Sequence, residues 1–324
     1  MDRRAFGKAL AAVAASALAP ASYAADYPDR MVRLVVPYTA GGNLDLIARL
    51  VAHMLSQDWN TSVVVENRPG ANGIVGTASI AQSAPDGYSL AMVSAGTMAI
   101  SPHLYANMEF DPNTDLTCVS QVVSGMMILN VSPRLPIRSV HDLVAYAKAN
   151  PGKLNFGSGG NGTLAHLSLE MLKTKAGIDI VHVPYRGTSL ALNDLLGGQI
   201  QGMFDTLSTT LPYLKSGQIR GLAVTGATRS SQVPELPTVQ EAGIPGYVAD
   251  AWAGLVGPAG LPRGVIERLS QAISRMAADR DFREQVLRTG NEPVGSSPVA
   301  FARQVREDSA KWAEIVKISG ARVD

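Results

Sequence analysis

Cysteine is nearly absent from this 324-residue chain: Cys118 stands alone, which excludes an intrachain disulfide and leaves that side chain as a small buried core residue. Histidine is scarce too, and the five present show no metal-ligand spacing, so no metal site and no cofactor is expected. Past the N-terminal region no segment reaches the roughly 18 to 20 apolar residues that span a bilayer. An excess of one charge is also missing: 28 Lys+Arg face 27 Asp+Glu, a net charge of +1, so there is no basic field to attract nucleic acid. No repeat with a period of about 20 to 50 residues recurs, which excludes a solenoid or propeller.

What is present begins with an export address. Arg3-Arg4-Ala5-Phe6-Gly7-Lys8 is a twin-arginine stretch, the run Ala9 to Ala19 is apolar but short, and Ser22-Tyr23-Ala24 offers small residues to a cleaving peptidase. Residues 1–24 therefore read as a signal peptide cleaved after Ala24, and the mature protein as exported to the periplasm with no stable membrane insertion. Cleavage removes Arg3, Arg4, Lys8 and Asp2, leaving 25 Lys+Arg against 26 Asp+Glu and a mature net charge of about −1.

About 300 residues remain, more than one hydrophobic core usually serves, which favours two domains. Apolar runs alternate with helical patterns. Val32 to Val36 reads as a buried strand, followed by Leu44, Ile47, Ala48, Val51 and Leu55 at helical spacing with Asn43 as N-cap. Strands are expected at Val63 to Val65 and Tyr88 to Val93, with a helix between them from about Gly73 to Ala84. A second series starts at Met127 to Val131, continues through a capped helix at Ser139 to Asp142, and adds strands at Leu154 to Phe156, Ile180 to Val183, Gln201 to Phe204 and Leu222 to Val224. The alternation breaks around Pro234 to Pro245. Trp252 to Val256 is a further strand, and helices follow at about 264–279, 281–289 and 298–318.

Two Gly-rich turns stand out, Ala40-Gly41-Gly42-Asn43 and Gly157-Ser158-Gly159-Gly160-Asn161-Gly162, each between an apolar strand and an amphipathic helix. Such a turn leaves backbone N–H groups unpaired at the positive end of a helix, a natural seat for an oxyanion. Two seats suggest one anion held between two lobes. The second turn also spells Gly157-x-Gly159-x-x-Gly162, yet the dinucleotide fingerprint needs an acidic residue closing the next strand, where the chain reads Val181-His182-Val183-Pro184. A phosphate loop fails as well, because Thr163 sits where lysine is required. An exported serine hydrolase would want a Gly-x-Ser-x-Gly elbow, and Phe156 stands two residues before Ser158, although Ser158, His166 and Asp205 span the residue types of a triad.

Further motifs are Pro37 to Asp45 with Ala48-Arg49, Glu66 to Gly73, Gly157 to Thr163 with His166-Leu167, Val183 to Gly187, Leu222 to Thr225, Pro237 to Val239 with Glu241 to Gly243, and Gly257 to Pro262. In these the chain resembles the Bug-type solute receptors, the periplasmic components of tripartite tricarboxylate transporters. The resemblance implies an α/β type II periplasmic binding-protein fold, two α/β lobes joined by two crossing segments with a ligand cleft between them. Lobe 1 would take 26–126 and 245–324, and lobe 2 would take 127–244. It also implies no chemical reaction, a small organic carboxylate as ligand, membrane permease subunits as partners, and a monomer. Some such receptors present ligand to a sensor protein instead.

In a βα unit the ligand crevice lies beyond the carboxyl ends of the strands, where both turns fall. Gly41, Gly42 and Asn43, with Tyr38 and Ala40 beside them, are expected to meet a carboxylate, and Ser158, Gly159, Asn161 and Thr163 to close on it with N–H and hydroxyl groups. Ser94 and Thr97 follow the Tyr88 strand and either reach the ligand, as the resemblance implies, or cap the next helix; relatives often carry His or Asn near position 98, where this chain has Met98. Asp205 ends its strand and either meets a ligand amine or caps a helix. Asn72, His166, Tyr185 and Arg186 are secondary candidates: Asn72 and His166 to order their loops or to touch the ligand, Tyr185 and Arg186 to face the cleft, with Arg186 alternatively solvated or in an ion pair that closes the lobes.

Overall fold

In the computed structural model, residues 27–322 are described; the expected signal peptide over 1–24 and its cleavage point lie outside them. The first series of apolar runs forms β1 (Val32–Val36), β2 (Val63–Asn67) and β3 (Ser89–Ser94), linked by α1 (Asn43–Trp59) and α2 (Ile74–Ala81). β1 pairs in parallel with β2 on one side and β3 on the other, each pair reached through a helical βαβ crossover. Its residues Val32, Leu34, Val35 and Val36 are buried because helices and the rest of the core cover both faces of the strand.

β4 (Leu116–Gly125) then runs almost directly into β5 (Met127–Val131), with Met126 alone between them. From there the second series builds α4 (Val140–Ala149), β6 (Asn155–Ser158), α5 (Leu164–Ala176), β7 (Val181–Pro184), α6 (Thr188–Gly197), β8 (Gly202–Thr206), α7 (Leu207–Lys215) and β9 (Arg220–Val224). The short helix α3 (Ser101–Leu104) precedes β4 and continues a π-helical turn over Gly96–Ile100. The chain returns through 225–250 to β10 (Ala251–Pro258) and closes with α8 (Arg263–Ala278), α9 (Arg280–Arg288), β11 (Asn291–Pro293) and α10 (Pro298–Ser319).

The strands form two sheets, ordered β11-β4-β10-β3-β1-β2 and β7-β6-β8-β5-β9. They share a plan. In each, the first strand of a parallel trio sits between the other two, and the fourth strand, antiparallel, is the one that has just crossed from the other half: β10 beside β3, and β5 beside β8. The crossing segments bond to each other, the Met127 N–H to the Thr225 hydroxyl at 2.9 Å and the Ala249 N–H to the Thr225 carbonyl at 2.9 Å. α10 belts the two halves, packing on the π-helical turn and β4 and also on α5. Its Trp312, Ile315 and Val316 share one buried cluster with Leu167, Met171 and Phe204 of the other half.

Several local expectations shift. β4 and β11 lie outside the expected strands, and most of the other strand boundaries move by one or two residues. Helix α2 starts at Ile74 because Gly73 has φ +89°, and a Cβ there would sit 2.5 Å from the Thr97 hydroxyl. Ser139 caps α4 as expected, accepting the Asp142 N–H at 3.0 Å. Asn43 does not cap α1: Gly42 holds that position in extended backbone with no side-chain bond, because the Asn43 side chain turns instead to Asn291.

Candidate functional site

Both Gly-rich turns occupy the same topological place, the carboxyl end of the central strand of a parallel trio, β1 in one sheet and β6 in the other. There the strand order reverses, which opens a crevice between the helices that depart to opposite faces. Residues 39–43 are exposed at the first turn. The N–H groups of Asn43 and Leu44, the first of α1, meet no acceptor among the described residues, and neither do those of Leu164 and Ala165 at the start of α5. Each helix thus offers two free donors at its positive end.

A cavity of about 330 Å³ opens at the first of these helix ends. Tyr38, Thr39, Gly42, Asn43, Leu44 and Asp45 line it from the turn, Ser94 from the end of β3, and Val123, Ala251, Trp252 and Ala253 from β4 and β10. Asn291 closes it from β11, giving its Nδ2 hydrogen to Oδ1 of Asn43 at 3.0 Å. Amide donors at one end and an apolar wall at the other suit a small molecule with a carboxylate head and a hydrocarbon body.

Asp45 sits at the centre of the turn, only 2% exposed. Its Oδ2 accepts the Gly41 N–H at 2.8 Å and the Arg49 Nε–H at 2.9 Å, while Oδ1 accepts from Asn67 Nδ2 at 2.9 Å. Burial by itself would raise this carboxyl, but the bonds from Arg49, Gly41 and Asn67 outweigh it and hold the group below the usual carboxylate value. The Gly41 donor, expected to face a ligand, is therefore spent on the chain's own carboxylate. Behind the turn the Tyr38 hydroxyl joins Asn72 O at 3.1 Å, Ser94 Oγ at 3.0 Å and Thr97 Oγ1 at 2.9 Å. Asn72 holds this loop, with its side chain on Ser101 Oγ at 3.1 Å. Thr97 is fully buried in the network, and Met98, 1% exposed, belongs to the hydrophobic core rather than to the cavity wall.

The second turn is bonded inward. Ser158, 1% exposed, places Oγ 2.6 Å from Nε2 of His182 and also takes the Gly160 N–H at 3.1 Å. Thr163 caps α5: its hydroxyl donates to Gly160 O at 2.9 Å and accepts the His166 N–H at 3.3 Å. The two hydroxyls expected to reach a ligand are thus occupied, and backbone N–H groups are the donors left. His166 takes the Gly162 N–H on Nδ1 at 3.0 Å. Ser158 meets His182, not His166, and no carboxylate among the described residues bonds the His182 ring, so the elements of a hydrolytic triad are not assembled there. A Cβ on Gly159 would lie 2.8 Å from the Thr188 hydroxyl, so this glycine lets α6 approach the turn.

Tyr185 gives its hydroxyl to Asp194 Oδ2 at 2.7 Å, within its own half. Arg186 is exposed without a carboxylate partner among the described residues. Asp205, 5% exposed, accepts the Thr206 N–H on Oδ1 at 2.7 Å and leaves Oδ2 without a partner. Burial pushes its carboxyl up to about 7, against the Thr206 N–H bond and the nearby Thr209 hydroxyl that draw it down. The two halves meet nearby: a Cβ on Gly290 would come within 2.7 Å of Ser208 N, and the Ser231 hydroxyl donates to Glu292 at 2.6 Å. Asp45, Asn291 and Trp252 are among the cavity-lining residues that sequence reasoning missed, with Thr39, Leu44, Val123, Ala251 and Ala253. Asp45 was visible in the Pro37 to Asp45 motif; Asn291 carried no signal beyond following Gly290. Among the described residues no group of His, Cys, Asp or Glu is placed to hold a metal ion, and no helix is long and apolar enough to cross a membrane.

Residues 47–321 match the family described as Tripartite tricarboxylate transporter family receptor. The chain is 32% identical over 312 residues to Protein BugT of Bordetella pertussis, covering 96% of each. A Rhodopseudomonas palustris protein solved with adipate is similar at 36% identity and a TM-score of 0.80, over 91% of this chain and 99% of the other. MatC from Rhodopseudomonas palustris, solved with bound malate, is similar at 29% identity and a TM-score of 0.75, over 90% of this chain and all of the other.

Proposed function

The chain belongs to the tripartite tricarboxylate transporter receptor family, and from that membership we infer that it captures a small organic carboxylate in the periplasm and passes it, chemically unaltered, to the membrane permease subunits of a transporter. The observation that carries this reading is the pair of Gly-rich turns at equivalent strand ends, each with free N–H groups at a helix N-terminus, one of them opening into the cavity under Asn43 and Asn291.

One carboxylate of the ligand seats on Asn43 and Leu44, with Gly42 allowing close approach and Tyr38, Ser94 and Asn291 bounding the pocket. Trp252 and its neighbours take the hydrocarbon. The lobe over 127–244 then swings about its two crossings to bring Asn161, Leu164 and Ala165 onto the anion. Charge-assisted bonds from these five residues, at about 1.5–3 kcal/mol each, together with burial of the hydrocarbon body, supply the binding energy without an arginine in the pocket. The receptor acts as a monomer. The adipate and malate of the solved relatives support a ligand of similar size.

The test is a thermal-shift screen over C4 to C8 dicarboxylates, aromatic carboxylates and amino acids, followed by calorimetry. A true ligand at about 100 times Kd stabilises by about 2.7 kcal/mol. Stabilisation by no acid across that set would overturn the reading.

A further inference from the structure

Two of the chain's five histidines meet beneath the second Gly-rich turn. His166 of α5 and His182 of β7 stack face to face, ring centroids 3.9 Å apart and planes 14° from parallel. Each ring holds one end of the turn: His166 Nδ1 accepts the Gly162 N–H at 3.0 Å, and His182 Nε2 lies 2.6 Å from Ser158 Oγ. His166 is 7% exposed, so its ring has little contact with water. To accept the Gly162 hydrogen its Nδ1 must be bare, which puts the ring proton on Nε2, 3.9 Å from Oε1 of Glu170.

We propose that His166 and His182 are positioning residues that hold the second turn in its anion-accepting shape only while both rings are neutral, so that uptake of a proton by the pair loosens the turn and weakens ligand binding. A proton added to His166 Nδ1 sets two donors, the ring N–H and the Gly162 N–H, against each other across 3.0 Å. The turn then has to move, and with it Asn161 and the first residues of α5. A proton added to His182 places a cation against a neutral ring 3.9 Å away, and a second proton on the stack meets that cation in a dry setting.

The surroundings favour the neutral pair. On α5, Glu170 faces His166 but is already paired with Lys173 at 2.8 Å, and that lysine opposes protonation of both rings. β6 contributes only the neutral Ser158. On β8 the one titratable group, Asp205, is engaged by the Thr206 N–H. α10 buries Ile315 and Val316 in the core it shares with α5 and leaves Glu314 and Lys317 exposed. Burial first, then the neighbouring ring and Lys173, bring His182 down to about 4; burial lowers His166 too, against the pull of Glu170.

The inference rests on the carboxylate-receptor reading only for its effect on affinity, so the experiment has two arms. In ligand-free wild-type protein, NMR follows the Gly162 amide and the imidazole C–H signals from pH 8 to pH 4.5. The expected result is that the Gly162 amide moves along the titration of His166 and stays fixed in His166→Asn, whose Oδ1 replaces Nδ1 as an acceptor that does not titrate. In the second arm, calorimetry with adipate and with malate compares wild type and the His166→Asn/His182→Gln double variant at pH 7.5 and 4.5. Both proteins lose whatever affinity the protonating acid itself loses. The wild type should lose about threefold more, or greater.

A Gly162 amide indifferent to the histidine titration overturns the proposal, as does a parallel loss of affinity in the two proteins. If neither acid binds at pH 7.5, the carboxylate reading fails for those acids, and the amide titration still decides the role of the histidines.

Discussion

Asn291 Nδ2 donates to Asn43 Oδ1 across 3.0 Å, tying together residues 248 positions apart in the chain. The bond fixes the first residue of α1 against β11 at the mouth of the cavity. Asn291→Ala removes this bond together with those the same Nδ2 gives to Thr289 O at 3.2 Å and Thr289 Oγ1 at 2.8 Å, and loss of the Asn43 tether, about 1 kcal/mol, should weaken carboxylate binding by roughly fivefold in calorimetry. Asn291→Asp keeps the volume but places a negative charge beside the anion, and should weaken binding further, with a loss that shrinks as salt is added. Unchanged affinity in both variants would move the seat elsewhere.

Tyr38→Phe takes away the hydroxyl that joins Asn72, Ser94 and Thr97. Thr97 is fully buried and Asn72 O loses one of its donors, so the cost is that of leaving polar groups under-bonded, about 1–3 kcal/mol. Urea denaturation should show a lower midpoint with an unchanged slope.

Gly254 lies under the Phe301 ring, and a Cβ there would come within 2.2 to 2.9 Å of three ring carbons. Phe301 is fully buried between α10 and the first sheet, so Gly254→Ala should destabilise by about 1–3 kcal/mol through overpacking. Trimming the ring with Phe301→Leu in the same protein should recover part of that loss, a non-additivity that a double-mutant cycle of thermal melts would read.

Asp205 makes stability depend on pH with a definite sign. Its folded carboxyl is raised by burial from 3.8 to about 7, so between those values the native protein keeps a proton that the unfolded chain releases. That contribution is complete below about 3.8 and is lost as pH rises to about 7. Wild-type stability relative to Asp205→Asn should therefore fall between pH 4.5 and 7.5 by an amount on the order of a few kcal/mol, and level off above. Chemical denaturation of both proteins at the two pH values checks it, and a difference that rises with pH would refute it.

The turns, the strands that feed them and the Ser139 cap were legible because each is a local matter of glycine, β-branched runs and a polar residue before a helical stripe. β4 was not, since Thr117, Cys118, Ser120 and Gln121 interrupt its apolar residues, and its identity as a strand comes from β10 and β11 pairing on its two sides. β11 has three residues, too few for any periodicity. Within the site, the donors at Asn43 could be read from the turn, but the walls could not: Trp252 and Asn291 arrive from distant chain segments that only the folded sheet brings together. The same holds for Ser158 and His182, whose contact depends on β6 and β7 lying in register, Ser158 opposite Pro184. Asp45 shows a different limit. Its place in the motif was plain, while its bond to the Gly41 N–H follows from a side-chain conformation that sequence spacing does not specify.

Met126 is the whole of the span between β4 and β5, and Thr225 laces the outgoing and returning strands together beside it. On the proposed reading, a joint so short lets the lobes swivel without drawing apart. Cargo would then leave through a widening mouth whose jaws stay close enough to shut on it again, so escape would compete with recapture, and a partner that unloads the protein would have to hold it open until the acid has gone.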